Sequence, residues 1–180
     1  MSALLFFNAR IKFKFARLQP KFKVNKESQQ HNFEEVLKKM MQYCSYSERS
    51  DFEVQIKLAT FLISADDKRK VIAFLKEENF LNENRFAAAF VSGKVRIKRW
   101  GRYKISAALR AKRVDQSLIQ EAFKEIDEEV YFDNIKHLLK LKKFSASMSD
   151  YEKSKIVRYL LSKGYENDLI WEAIKDFNKE

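Results

Sequence analysis

The stretch 105-ISAALRAKRVDQSLIQEAF-123 decides the fold of this 180-residue chain, because the sequence repeats it. Moved 51 positions forward, it falls on 156-IVRYLLSKGYENDLIWEAI-174 with its apolar positions conserved in place. The coincident pairs include Ile105 and Ile156, Leu109 and Leu160, Ile119 and Ile170, and Ala122 and Ala173. Moved 47 positions back, the same stretch falls on residues 58–76, where the similarity is weaker and Leu62 takes the place of Leu109. A self-similarity near 50 residues is typical of a repeat protein, so the sequence predicts three units.

The apolar residues of these units recur at helical spacing. Examples are Phe33, Val36, Leu37, Met40, Met41 and Cys44, and later Ile135, Leu138, Leu139 and Leu141. Three glycines and one proline leave few of the turns that a β fold needs. An all-α fold with three helices in each unit follows. The predicted helices cover 33–45, 49–63 and 67–78, then 83–98, 102–112 and 115–126, then 127–143, 149–163 and 166–177.

The chain divides into an N-terminal segment and three repeats. The segment 1–32 is basic, and we expect it to be a flexible N-terminal arm; a short strand is the alternative, because apolar and basic residues alternate near Phe13. The repeats cover 33–80, 81–126 and 127–180, and each is too small to be stable alone, so neighbouring repeats should pack together. Capping residues mark helix starts at Ser47, Asp115 and Ser149, and helix ends at Gly101 and Gly164.

The chemistry of an enzyme is missing from this sequence. It has one cysteine and two histidines, and it lacks the glycine-rich phosphate loops and the nucleophile and zinc motifs of common enzyme families. The acid pairs Asp66–Asp67 and Glu128–Glu129 lie where helices should begin, which favours capping over catalysis. We therefore expect no enzymatic activity, no metal and no cofactor. Without an apolar run long enough to span a membrane, we expect a cytoplasmic protein.

The net charge of +11 is concentrated in two blocks, 1–32 with +6 and 83–125 with +7, while the rest is close to neutral. No acid occurs between Arg85 and Asp115, so no acid within that stretch can neutralise its cations. A localised excess of this kind indicates a polyanion or an acidic protein surface as partner. The candidate binding residues are Arg85, Lys94, Arg96, Lys98, Arg99, Arg102, Lys104, Arg110, Lys112 and Arg113.

Two finer predictions concern this basic stretch. If its first helix runs through Lys98, that residue shares a helix face with Lys94, and the stripe could hold successive phosphates or face an acidic protein. Trp100 and Tyr103 could stack on a base or, the reading we favour for Trp100, close the corner between two helices.

The sequence resembles the RecX family over residues 33–177. The resemblance rests on 49-RSDFEV-54, 81-LNENRFAAAFV-91, 101-GRYKI-105, 109-LRAK-112, 155-KIVRYL-160 and 163-KGY-165. Arg113 departs from it, because the family usually has a glycine there, so this turn must form without a residue suited to positive φ. The resemblance implies three-helix repeats in an elongated, curved molecule that lies in the groove of the RecA–DNA filament and inhibits RecA.

Three hypotheses follow. The first is a monomeric regulator that binds the RecA filament through the basic stretch, with a weak direct contact to DNA and no membrane partner. The second is a stand-alone DNA-binding protein whose units act as helix-turn-helix readers. The third is a helical adaptor with an unrelated partner.

Overall fold

The computed structural model describes residues 32–177 of the chain, so the predicted basic arm lies outside the described residues except for Asn32. Nine α-helices and no strand occur in this range. Their bounds are α1 Phe33–Tyr46, α2 Asp51–Ala59, α3 Ala65–Glu77, α4 Glu83–Arg96, α5 Arg102–Ala111, α6 Gln116–Lys124, α7 Glu128–Leu141, α8 Asp150–Lys163 and α9 Asn167–Phe177. The predicted all-α repeat fold is confirmed, whereas its elongated, curved shape stays a prediction.

The three repeats share one packing scheme. We call α1–α3 repeat 1, α4–α6 repeat 2 and α7–α9 repeat 3. In each repeat the first helix packs against the third, as α1 does on α3, α4 on α6 and α7 on α9. The apolar spacing explains this scheme, because a single amphipathic helix must cover its apolar face with another.

Repeats 2 and 3 share one hydrophobic core. A continuous cluster of buried side chains runs from Phe86 on α4 to Ile174 on α9, and α4 contacts α7 directly. The buried residues of repeat 1, such as Leu37, Val54 and Val71, do not belong to that cluster. Repeat 1 is therefore packed on a core of its own.

Several helix boundaries agree with the prediction and two do not. Asp115 and Ser149 cap the N-termini of α6 and α8, and Gly164 ends α8 with φ of 92°. Ser47 was predicted to start a helix, but it ends α1, and Ser50 caps α2 through a capping box with Glu53. Gly101 was predicted to end a helix but is the N-cap residue of α5.

The faint match of repeat 1 fails in its second helix. Leu62 was aligned with the buried Leu109, yet it is 64 % exposed and lies after the end of α2, which is shorter than predicted. Val54 and Leu58 fill the core instead. The turn between α2 and α3 is longer than its counterpart in repeat 2, and this shifts the register. Leu141 was likewise predicted to be apolar core and is 63 % exposed at the end of α7.

The turn at Arg113 forms without a glycine. Arg113 adopts φ of 60°, and the Val114 N–H donates to the Leu109 carbonyl at 3.2 Å. The same bond closes the turn at Gly164, where the Tyr165 N–H donates to the Leu160 carbonyl at 3.3 Å. The left-handed conformation costs a non-glycine residue about 1–2 kcal/mol, so the packing around Arg113 must offset that strain.

Candidate interaction surface on repeats 2 and 3

The backbones of repeats 2 and 3 touch where α5 begins and α8 ends. The Gly101 N–H donates to the Lys163 carbonyl at 2.9 Å, and the Tyr103 N–H donates to the Gly164 carbonyl at 3.0 Å. A Cβ on Gly101 would lie 2.1 Å from the Gly164 oxygen, so only glycine permits this approach. The contact fixes the start of α5 against repeat 3.

Arg102 is part of this joint. Its guanidinium pairs with Glu128 and, at 3.2 Å, with Glu166, and it lies 4.3 Å from the ring centroid of Tyr131. The Arg102 N–H donates to the Tyr131 hydroxyl, which itself donates to Glu166 at 2.7 Å. Burial and the Glu166 bond raise the pKa of Tyr131 above its usual value. This predicted binding residue is thus mostly enclosed between repeats 2 and 3.

Three other predicted binding residues lie at the joint between repeats 1 and 2. Arg85 donates to Glu48 at 2.6 Å, Lys112 donates to Glu53 at 2.7 Å, and Arg113 lies over the ring of Phe52. The basic stretch is therefore neutralised in part by acids that come from repeat 1.

The pKa of Glu53 reflects this joint. Burial would raise the pKa, but hydrogen bonds from Lys112 and Ser50 outweigh burial and lower it below its usual value. Glu83 accepts a hydrogen bond from the Asp51 N–H at 3.4 Å, and its pKa is raised by burial and by the nearby Asp51 charge. Charged groups thus make most of the side-chain contacts described between these two repeats.

Another part of the predicted stripe faces solvent. Arg96, Lys98 and Arg110 are exposed, and none of them forms an ion pair within the described part of the chain. The helix that was expected to carry Lys98 ends at Arg96, so Lys98 lies in the following turn. The predicted alignment of Lys98 with Lys94 on one helix face is therefore wrong.

Two of the three remaining predicted cations lie over an aromatic side chain. Trp100 packs against the shared core, and the ammonium groups of Lys94 and Lys104 each lie 4.9 Å from its ring centroid. Its position confirms that Trp100 closes the corner before α5. Tyr103 is 67 % exposed, and Arg99 is close enough to Tyr165 for its charge to counter the rise in the pKa of that buried phenol.

Sequence reasoning missed the residues of repeat 3 that continue this surface. Lys142 and Lys163 lie 4.2 Å and 5.5 Å from the ring centroid of Tyr159. Lys104 connects the two groups, because its ammonium donates to the Ser162 carbonyl at 3.1 Å. The cationic seam is the name we use for Lys94, Arg99, Lys104, Lys142 and Lys163.

A signal for the seam was present in the sequence. Residues 86–114, 134–149 and 153–165 contain no acid, and all five cations of the seam come from these three ranges. The net charge of repeat 3 does not reveal the last two ranges, because acids elsewhere in that repeat balance the lysines of these ranges.

Two classes of site are absent from the described residues. Within 32–177, no three His, Cys, Asp or Glu side chains are grouped to hold a metal ion. None of the helices in that range combines the length and the apolar character that crossing a bilayer requires.

Together these features define a class: an all-helical protein of tandem three-helix units. Two family models match it, RecX second three-helix domain over residues 82–122 and RecX third three-helix domain over residues 129–174. The chain belongs to the RecX family, as the sequence resemblance predicted.

Individual relatives of the chain are also RecX proteins. The chain is 33% identical over 132 residues to a Regulatory protein RecX of Clostridium botulinum, covering 71% of this chain and 61% of that protein. It is 30% identical over 131 residues to the Regulatory protein RecX of Lactobacillus johnsonii, covering 72% and 48%. The match thus spans about half to three fifths of the length of these curated relatives.

Solved structures show the same fold. A crystal structure of RecX from Lactobacillus salivarius superposes with a TM-score of 0.72 at 22% identity, covering 81% of this chain and 96% of that one. A second regulatory protein RecX gives a TM-score of 0.69 at 23% identity, covering 80% and 71%.

Proposed function

We propose that this chain is a non-enzymatic, monomeric regulator that binds the RecA–DNA filament and inhibits RecA. The inhibited activities would be ATP hydrolysis, filament extension, strand exchange and coprotease action, so the protein would modulate DNA repair and the SOS response. Membership of a family of regulatory proteins supports this proposal.

The observation that carries it is the division of the basic stretch. Of the ten predicted binding residues, four lie at joints between repeats: Arg85, Arg102, Lys112 and Arg113. The other six form no ion pair within the described part of the chain and supply a cationic surface for an anionic partner: Lys94, Arg96, Lys98, Arg99, Lys104 and Arg110. A surface of this charge suits a filament that contains DNA and acidic protein groups.

The test measures ATP hydrolysis by RecA on single-stranded DNA with and without this protein. Near-stoichiometric amounts should inhibit hydrolysis, and no inhibition would refute the proposal. The double variant Arg96→Glu and Lys98→Glu should inhibit at least tenfold less well. A control with the same change in charge, Lys38→Glu and Lys68→Glu on repeat 1, should inhibit like the natural protein.

The helix-turn-helix alternative finds less support. In such a reader the last helix of the motif enters the major groove and needs basic or amide side chains on its exposed face. The third helix of repeat 3, α9, carries Asp168, Glu172 and Asp176 against one lysine, and DNA phosphates would repel them. Tight, sequence-dependent binding of duplex DNA in the absence of RecA would favour this reader over the filament regulator.

A further inference from the structure

The cationic seam is continuous across the joint between repeats 2 and 3. Lys94 and Lys104 each lie 4.9 Å from the centroid of Trp100, so their ammonium groups are at most twice that distance apart. Lys104 reaches the Ser162 carbonyl, next to Lys163, and Lys163 and Lys142 share the ring of Tyr159. The shared core and the glycine contact fix the position of repeat 2 against repeat 3, so the backbone positions that carry the seam are preorganised.

Within residues 32–177, no ion pair compensates the positive charge of the seam. None of its five cations forms an ion pair with an acid in the described range, in contrast to Arg102 and Lys112. The acids nearest to the joint, Glu128 and Glu166, are already bound to Arg102 and Tyr131. An anionic partner would therefore meet a field of one sign.

The geometry favours a nucleic acid backbone over bases and over an acidic protein surface. Lysines lie close to the rings of Trp100 and Tyr159 and compete with any base for their faces. Four of the five cations are lysines, whose ammonium is a point charge that binds a phosphate oxygen in many orientations, so a row of them suits the repeated charge of a nucleic acid backbone. The core of a protein interface is apolar, and these lysines cover the aromatic rings that could supply it. Few groups of the seam can therefore distinguish one base from another.

We propose that the cationic seam binds the phosphodiester backbone of a single nucleic acid strand, across repeats 2 and 3 and without regard to sequence. This inference deepens the proposed function, because it makes DNA phosphates the part of the filament that the seam contacts. It assigns binding residues in repeat 3, Lys142 and Lys163, that the basic stretch of repeat 2 does not include.

The test measures the affinity of the full chain for a labelled oligothymidylate over a salt series, without RecA. Each phosphate contact on a single strand contributes about −0.7 to the slope of log K against log salt, so five contacts give a slope of about −3.5. The variant Lys142→Glu and Lys163→Glu should reduce that slope by about 1.4 and weaken binding about 50-fold at about 0.05 M salt. The repeat 1 control pair, Lys38→Glu and Lys68→Glu, should keep the slope.

Three further measurements separate the explanations. An abasic oligomer of the same length should bind as well as the oligothymidylate, and a loss of fivefold or more would overturn phosphate recognition in favour of stacking. Polyglutamate of equal charge should compete poorly, and equal competition would overturn the inference in favour of an acidic protein. If the glutamate variant fails to fold, Lys142→Gln and Lys163→Gln replaces it, and an unchanged salt slope refutes the seam.

The outcomes distinguish this inference from the proposed function. Inhibition of RecA by a protein that does not bind the oligomers would overturn the seam and leave the filament regulator standing. Binding that depends on Lys142 and Lys163, without any effect on RecA, would support the seam and refute the regulator.

Discussion

Replacing Gly101 with alanine should weaken the contact between repeats 2 and 3. The new Cβ would lie 2.1 Å from the Gly164 oxygen and 2.3 Å from the Tyr165 nitrogen, and backbone atoms cannot rotate away. The start of α5 must therefore withdraw from α8.

The cost can be worked from this contact. Overpacking typically costs about 1–3 kcal/mol. Withdrawal also breaks the bonds from the Gly101 N–H to Lys163 and from the Tyr103 N–H to Gly164, each with a net value of about 0.5–1.5 kcal/mol. We expect Gly101→Ala to lower the free energy of unfolding by about 2–6 kcal/mol. That loss is a large part of the stability of an ordinary domain.

Urea denaturation followed by tryptophan fluorescence measures this effect, because Trp100 and Trp171, the only tryptophans of the sequence, belong to repeats 2 and 3. The control is Gly93→Ala in α4, where an added Cβ meets no atom within 4 Å. It should stabilise the protein by about 0.5–1 kcal/mol because alanine is the better helix former. A loss below about 1 kcal/mol for Gly101→Ala would refute the view that this backbone contact joins the repeats.

Three more predictions concern the other joint and the core. Lys112→Glu should break the pair with Glu53 and so weaken the support that repeat 2 gives to repeat 1. The labelling rate of Cys44, a thiol buried in repeat 1 whose pKa burial raises to about 11, should then rise severalfold. An unchanged rate would contradict an ion-paired joint. Because the folded state lowers the pKa of Glu53, its contribution to stability is present above the unfolded pKa and is lost as the pH falls through the lower folded pKa. With a disulfide reagent that is active in acid, the labelling rate of Cys44, compared with that of the unfolded chain at the same pH, should therefore rise as the pH falls. Glu53→Gln should weaken this pH dependence. Tyr165→Phe should raise stability by about 1 kcal/mol in urea denaturation, because the buried hydroxyl has no hydrogen-bond partner within residues 32–177; a loss of similar size would contradict this.

Much of the fold could be predicted because it is local. Apolar spacing and capping residues act within a few positions, so Asp115, Ser149 and Gly164 were assigned correctly from their neighbours alone. The failures have a local cause too, since Ser47 and Ser50 are both good caps and only the glutamate three residues after Ser50 decides between them.

The candidate site could be predicted only in part because its contacts are distant in sequence. Nothing near Arg102 indicates that Glu166, 64 residues later, will neutralise it. Helical periodicity tells which face of a helix is polar, but it does not tell whether that face meets water or another repeat. The lysines of repeat 3 were not predicted as binding residues for the same reason, since only the fold brings Lys163 beside Lys104.

The polar contact between repeats 1 and 2 has a consequence for dissecting the molecule. A cut near residue 80 would expose mainly cations such as Arg85 and Lys112, which water solvates readily, whereas a cut between repeats 2 and 3 would open an apolar core. A fragment that begins near Leu81 should therefore express in soluble form and keep the whole cationic seam, while repeat 2 or repeat 3 alone should aggregate. The boundary near residue 80 is thus a place where the chain can be divided without harm to the part that we expect to bind.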